Sequence, residues 1–135
     1  MAGHMQIGEV AERTGLSLRT IRYYGEVDLV SPSSRSEGGF RLYTDGDVER
    51  LELVKQMKPL DFSIEEMKDV LTILDRLKDE HVDDAERDRL LAALGEFRAR
   101  AAERSEKLRA KLAATESFVA GLDVRLSHQP RHATT

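Results

Sequence analysis

Apolar residues recur at helical spacing in four short stretches of the chain between Gln6 and Lys78. Such spacing places the apolar residues on one face of each helix, where they can pack into a small core. The pattern predicts four helices, with Ile21 and Leu51 among the buried residues. The residue types that begin and end helices stand at the expected places: Gly15 as a stop, Ser17 as an N-cap, the capping pairs Thr44–Asp47 and Ser63–Glu66, and Pro59 as a stop.

Between the second and third predicted helices the spacing changes from helical to alternating. The segment from Arg35 to Tyr43 contains a Gly-Gly pair that suits a tight turn, and it predicts a small β-hairpin. After the turn, Phe40 and Leu42 lie on one side of the strand, whereas Arg41 and Tyr43 lie on the other. We expect Leu42 to contribute to the core.

A different pattern occupies residues 85–126. Ala, Leu, Glu, Arg and Lys dominate there and proline is absent, which predicts one long helix. About thirty-five helical residues extend roughly 50 Å, more than a small domain can cover. We expect the apolar stripe of this helix to form a coiled coil with a second copy of the chain; the alternative is a single helix lying exposed on the domain. The stripe consists of Leu90, Leu94, Phe97, Ala101, Leu108, Leu112, Val119 and Leu122.

These patterns divide the sequence into four parts. Residues 1–4 are interpreted as an expression-tag remnant, and residues 127–135 as a disordered tail because they are polar and lack an apolar period. Residues 5–78 are expected to form the compact domain, and residues 79–126 a linker followed by the dimerisation helix. The length of 135 residues suits one domain with an accessory element rather than two full-sized domains.

Composition narrows the possible functions. The sequence contains no cysteine, which excludes disulfide scaffolds, thiolate metal sites and cysteine nucleophiles. It has no secretory signal and no run of eighteen apolar residues, so we expect a cytoplasmic protein without a membrane span. The net charge of −4 argues against wholesale coating of nucleic acid but permits binding through a local basic face. No nucleophile–base pair, paired carboxylates or glycine-rich phosphate loop indicates an enzyme.

The first two predicted helices have the spacing of a helix-turn-helix. That motif needs a small residue where the helices cross, a glycine in the turn and an aliphatic residue from the second helix. Ala11, Gly15 and Ile21 meet these needs in turn. The outer surface of the second helix carries donors suited to phosphates and base edges, namely Arg19, Thr20, Arg22 and Tyr23. The pattern therefore predicts DNA binding.

Four longer motifs follow one another along the chain. They are Ile7-Gly8-Glu9-Val10-Ala11, Thr20-Ile21-Arg22-Tyr23-Tyr24, Ser36-Glu37-Gly38-Gly39-Phe40-Arg41-Leu42-Tyr43 and Leu60-Asp61-Phe62-Ser63-Ile64-Glu65-Glu66. Together they resemble the mercury-resistance regulator (MerR) family of bacterial transcription factors. The resemblance covers about residues 6–77, and the long helix continues it in architecture only. Two positions, Asp28 and Asp61, depart from the glycine usual in the family; because aspartate tolerates left-handed backbone conformations, we expect the fold to be kept.

The resemblance implies an all-α fold with a small β-hairpin wing: a winged helix-turn-helix domain followed by a long helix that forms an antiparallel coiled coil. It implies a homodimer that binds double-stranded promoter DNA at a pseudo-palindromic site, distorts it and so acts on RNA polymerase. Matching positions imply base-edge contacts from Arg19 and Thr20, and wing contacts to phosphate from Arg41 and Tyr43. The full set of implied DNA-contacting residues is Ser17, Leu18, Arg19, Thr20, Arg22, Tyr23, Tyr24, Arg35, Arg41, Tyr43 and Lys58.

The resemblance leaves the small-molecule effector open. No cofactor is expected, and the acidic stretch 75–84 is interpreted as a solvated loop and helix start rather than a metal site. An effector pocket would be built from the dimerisation helix, the predicted helix over 64–77 and the tail. An effector-independent repressor of the same fold and a coiled-coil protein-interaction adaptor are the alternatives.

Overall fold

The computed structural model describes residues 3–130 and consists mainly of helices with one small antiparallel sheet. Residues 1–2 and 131–135, which belong to the predicted tag remnant and tail, lie outside the described residues. The predicted helical fold with a β-hairpin and a long C-terminal helix is confirmed. The elements in chain order are β1 (Met5–Gln6), α1 (Ile7–Thr14), α2 (Leu18–Glu26), β2 (Ser34–Arg35), β3 (Arg41–Tyr43), α3 (Asp45–Met57), a 3-10 turn (Lys58–Leu60), α4 (Ile64–Leu77) and α5 (Asp84–Ser127).

Three helices begin at the N-cap residues that the sequence predicts. At the start of α2, the Ser17 hydroxyl accepts a hydrogen bond from the main-chain N–H of Thr20 at 3.0 Å. Complete capping boxes begin α3 and α4, formed by Thr44 with Asp47 and by Ser63 with Glu66. Because these bonds join residues three positions apart, the chain's local sequence decides where each helix starts.

The sheet has three strands rather than the two that the hairpin pattern predicts. β3 lies in the centre and pairs antiparallel with β1 on one side and β2 on the other. Met5 lies opposite Tyr43 in the first pair, and Arg35 lies opposite Arg41 in the second. The sequence pattern does not indicate β1, because a two-residue strand carries no recognisable period and its partner is distant in sequence.

The core of the domain lies between the helices and the inner side of β3. Ile21 and Leu51 are completely buried, as predicted, but Leu42 is only half-buried and Tyr43 takes its place. The reason is that β3 packs against α1 and α3 through the side that carries Tyr43. The completely buried side chains of the domain include Val10, Thr14, Ile21, Val30, Tyr43, Leu51, Val54 and Leu71.

Four turns among residues 3–130 place the backbone in the left-handed region, and one of them is the hairpin turn, where Gly39 has φ of 81°. Gly15 ends α1 with φ of 74°, and its N–H donates a hydrogen bond to the carbonyl of Ala11 at 2.8 Å. Asp28 and Asp61 have φ of 57° and 59°. These are the two positions where aspartate replaces the usual glycine, so the expectation that aspartate would keep these turns is confirmed.

The helix α5 contains 44 residues, close to the predicted range. The described residues fall into two compact units that divide inside this helix, after Gly95. In the second unit Phe97 is buried, and the guanidinium of Arg100 lies 4.3 Å from the centre of its ring. Four residues of the predicted apolar stripe are exposed, namely Leu108, Leu112, Val119 and Leu122.

In the part of the chain that the structure describes, no helix is both long enough and apolar enough to cross a membrane.

Candidate nucleic-acid interface

The helix-turn-helix is formed by α1 and α2, and it presents one face of α2 to solvent. Ile21 and Tyr24 hold the inner face of α2 in the core. On the outer face Arg19 and Arg22 are exposed, and Tyr23 is 47% exposed. The core therefore fixes which side chains of α2 can reach a ligand.

Ser17 and Thr20 form a local hydrogen-bonded pair at the start of α2. The Ser17 hydroxyl donates to the Thr20 hydroxyl at 2.8 Å while it accepts from the Thr20 N–H. Leu18, between them, is 40% exposed. The capping bond occupies Ser17, so its contribution to the interface is to set the start of α2.

Three arginines line one recess between α2 and the hairpin. Arg22 comes from α2, whereas Arg35 and Arg41 lie opposite each other on β2 and β3. The recess has a volume of about 290 Å³, and Arg35 also donates to the carbonyl of Gly39 at 3.2 Å. Like charges directly opposite each other destabilise a sheet, so this arrangement favours an anion that bridges them.

The arginines around α2 lack acidic partners in the part of the chain that the structure describes. Within residues 3–130, neither Arg19 nor Arg22 nor Arg41 forms an ion pair. Three arginines elsewhere in the domain do form them: Arg13 with Glu9 and Asp45, Arg50 with Asp75, and Arg76 with Glu86. Among the described residues, the charges of Arg19, Arg22 and Arg41 therefore remain available to a ligand at α2 and the hairpin.

A second recess lies on the other flank of α2. Arg19, Thr20 and Tyr23 line it from α2, and Lys58 lines it from the 3-10 turn. The structure thus brings the predicted contact residue Lys58 beside Arg19, although 39 positions separate them in sequence. Together the two recesses extend the cationic surface to both sides of α2.

Two predicted contact residues lie in the core instead. Tyr24 is 4% exposed and Tyr43 is fully buried, so neither side chain offers a surface to DNA. Burial raises the pKa of the Tyr43 phenol, and the nearby guanidinium of Arg41 opposes that effect. Burial also raises the pKa of Tyr24, with a smaller contribution from Tyr23. The Tyr43 side chain is buried because β3 packs against α1 and α3 there, and its place near phosphate stays a prediction.

Phe40 is a surface residue that the sequence analysis did not assign to the interface. It lines the arginine recess and is 61% exposed. Its position directly after the glycine pair of the hairpin is the signal that could have found it, since an exposed aromatic side chain at a turn suits contact with a partner.

The acidic stretch before α5 is held by local hydrogen bonds. The main-chain N–H of His81 donates to the Asp79 carboxylate at 2.9 Å, and that of Glu86 donates to Asp83 at 2.8 Å. No group of three or more potential metal ligands comes together among residues 3–130. Asp83 therefore caps the start of α5.

Comparison with known proteins gives one consistent family. Residues 5–73 match the family pattern described as MerR HTH family regulatory protein. "Heavy metal-dependent transcription regulator 2" of Rhizobium meliloti is 41% identical over 69 residues, which are 51% of this chain and 47% of that protein. The chain thus spans about half the length of this relative. "HTH-type transcriptional regulator HmrR" of Sinorhizobium medicae is 32% identical over 124 residues, 92% of this chain and 76% of that protein.

Solved structures show the same fold. The N-terminal part of the Bacillus subtilis multidrug transporter activator, MtaN, is 27% identical with a TM-score of 0.55, and the match covers 90% of this chain and 97% of that one. HiNmlR, a MerR family regulator lacking the sensor domain and bound to promoter DNA, is 23% identical with a TM-score of 0.58. The match covers 93% of this chain and 89% of that one. At that identity the second likeness concerns the fold alone.

Proposed function

The chain belongs to the MerR family of helix-turn-helix regulatory proteins, a family of DNA-binding transcriptional regulators, and from this membership we propose that it acts as a homodimer on a pseudo-palindromic promoter site. In this proposal α2 enters the major groove, the hairpin follows the backbone as a wing, and the regulator works on RNA polymerase in the cytoplasm.

The observation that carries the proposal is the set of unpaired arginines around α2. A duplex presents a phosphate every few ångströms along each strand, and arginine binds phosphate with two parallel hydrogen bonds. The recess lined by Arg22, Arg35 and Arg41 has the charge and size for one such phosphate. The pairing of Arg35 with Arg41 costs stability in the free protein and is relieved when a phosphate lies between them.

Base reading is assigned to the exposed start of α2. Arg19 and Thr20 lie in its first turn, and the first turn of a recognition helix reaches deepest into the major groove. Arginine reads guanine through O6 and N7, which gives Arg19 the larger share of the discrimination. Tyr23 and Lys58 flank this position and suit the adjacent backbone.

The dimer is assigned to α5. Its second half exposes Leu108, Leu112, Val119 and Leu122 at heptad-like spacing, a surface that monomeric proteins rarely leave open. An antiparallel pair of such helices would bring two copies of α2 into one molecule. Each copy then binds one half-site, and the two linked contacts compensate for a modest local positive charge.

Distortion of the DNA is the next part of the proposal. If the half-site spacing differs from that of relaxed B-DNA, both recognition helices engage only when the duplex bends or untwists between them. The phosphate contacts at each end then balance the deformation energy. A promoter whose elements are misaligned would be brought into register for RNA polymerase by this change.

Selection of bound duplexes from a random pool tests the proposal. The full chain is incubated with the pool, and bound sequences are recovered over several rounds at moderate salt. We expect an inverted repeat with a fixed spacer, because a two-fold protein imposes its symmetry on the site. Recovery of single half-sites would contradict the dimeric site, and recovery of unenriched sequence would contradict specific DNA binding.

A further inference from the structure

The recess between α2, the 3-10 turn and the start of α4 has the lining of a small-molecule site. Its volume of about 460 Å³ falls within the range of ligand pockets. Three of the chain's seven aromatic residues line it, although aromatic residues make up only 5% of the sequence. Its lining residues are Arg19, Thr20, Tyr23, Tyr24, Lys58, Phe62, Ser63, Ile64 and Met67.

The floor of this recess is apolar. Phe62 and Met67 are buried beneath it, and Tyr24 joins them from α2. Aromatic rings pack against one another and against methionine sulfur with favourable geometry-dependent energies. A DNA phosphate needs only the charged rim of such a recess, so the apolar floor is explained better by a ligand that carries its own ring.

The rim of the recess is positively charged. Within residues 3–130, Arg19 and Lys58 form no ion pair, and no carboxylate lines the recess. The nearest acids of α4 are engaged elsewhere: Glu65 lies 3.5 Å from Lys68, and Glu66 accepts from the N–H of Ser63. The N-terminal end of α4 adds a partial positive charge. The rim therefore complements an anion.

We propose that this recess binds a small aromatic carboxylate and that the bound ligand excludes DNA from the flank of α2. The ring occupies the floor formed by Phe62 and Met67, and the carboxylate lies between Arg19 and Lys58. Because Arg19 and Tyr23 belong to both surfaces, ligand and duplex compete for them. The proposal that the carboxylate binds depends only on the recess, whereas the proposal that it excludes DNA rests on the proposed function.

Calorimetry with the full chain and no DNA tests the site, with 2-naphthoate as the probe and 2-naphthalenemethanol as its uncharged counterpart. We expect the carboxylate to bind about tenfold more tightly than the alcohol, because two cations face it. Lys58→Gln should weaken naphthoate binding about three- to fivefold. The matched control Lys78→Gln, an exposed lysine at the end of α4, should not. Equal affinity for both probes, or equal effects of the two variants, overturns the proposal.

Ile64→Glu tests the position of the site without touching the DNA-facing residues. Ile64 is half-buried at the first position of α4, where a carboxylate suits the helix N-terminus and the helical circular dichroism should be kept. The new charge enters the recess, so naphthoate binding should fall below detection. Undiminished binding to this folded variant would place the ligand elsewhere and overturn the proposal.

Competition on a labelled duplex tests whether the bound ligand excludes DNA. Naphthoate should raise the apparent Kd of the wild-type chain for DNA and leave that of Ile64→Glu unchanged. If naphthoate binds in calorimetry but does not shift the DNA titration, the competition is overturned and the site remains. If the chain binds no duplex at all, the proposed function fails, and calorimetry still decides the site.

Discussion

The ammonium group of Lys55, in α3, donates a hydrogen bond to the main-chain oxygen of Thr14, 41 residues earlier. Thr14 is the last residue of α1, and its carbonyl is one of those that a helix end leaves without an intrahelical partner. The bond therefore caps α1 and joins it to α3. Because the next residue, Gly15, begins the turn into α2, this contact helps to fix the direction in which α2 leaves the core.

The turn itself provides a test of that geometry. Gly15→Ala places a side chain at φ of 74°, so we expect a loss of about 1–2 kcal/mol in the free energy of unfolding. Gly8 is the matched control, because it lies inside α1 with no atom near the added methyl group. Gly8→Ala should stabilise the domain by about 0.5–1 kcal/mol. Thermal denaturation of both variants checks the opposite signs; the same sign for both would contradict the account of the turn.

Features set by neighbours in sequence were predictable. The caps at Ser17, Thr44 and Ser63 and the left-handed corners at Asp28 and Asp61 each depend on a few adjacent residues, and the structure has them where the sequence places them. Residue type indicates the caps, because it decides which hydrogen bonds are available locally, whereas the two corners follow from the glycine that the family resemblance implies at those positions.

Features that depend on contacts between distant parts of the chain could not be predicted from the sequence. Alternation along β3 shows that Arg41 and Tyr43 share a side, but only packing against α1 and α3 decides that Tyr43 is buried, while Arg41 at the start of the strand stays half-exposed. The strand β1 exists through its pairing with β3, and the recess beside Lys58 exists through the approach of α2 to α4. A single sequence carries no direct signal for such contacts.

The buried position of Tyr43 predicts that loss of its hydroxyl has little effect on stability or DNA binding. Within the described part of the chain the Tyr43 hydroxyl is buried without a hydrogen-bond partner, so Tyr43→Phe removes an unsatisfied polar group. We expect the free energy of unfolding to stay the same or to rise by up to about 1 kcal/mol, and DNA affinity to be unchanged. Denaturation and anisotropy titrations check both. A loss of DNA affinity in a stable variant would restore Tyr43 to the interface.

The exposed stripe of α5 predicts a dimer that one charge can dissociate. Leu108→Asp places an unpaired carboxylate in the proposed seam of each chain, which costs several kcal/mol and should give monomers. Val124 is an equally exposed apolar residue outside the stripe, so Val124→Asp should remain dimeric. Light scattering distinguishes the monomer mass of 15.2 kDa from twice that value. A wild-type mass of 15.2 kDa at micromolar concentration would contradict the dimer.

The first turn of α2 predicts where sequence discrimination resides. Arg19→Ala should reduce the preference for one base pair in each half-site by about 1–3 kcal/mol while affinity for unrelated duplex falls much less. Competition titrations with single-base variants of the selected site measure this difference. If every variant site loses affinity by the same factor, Arg19 contacts the backbone and another residue reads the bases.

Whether the arginine recess binds DNA is decided by the salt dependence of duplex binding by Arg22→Ala and Arg41→Ala. Each substitution removes one phosphate contact per chain, so a dimer loses two, and the slope of log K against log salt should flatten by about two units. Arg76→Ala serves as the control, because Arg76 is exposed and already paired with Glu86 on another part of the domain. Anisotropy titrations from low to moderate salt should show reduced slopes for the first two variants and the wild-type slope for the control. Identical slopes for all four proteins would show that the arginine recess does not bind DNA.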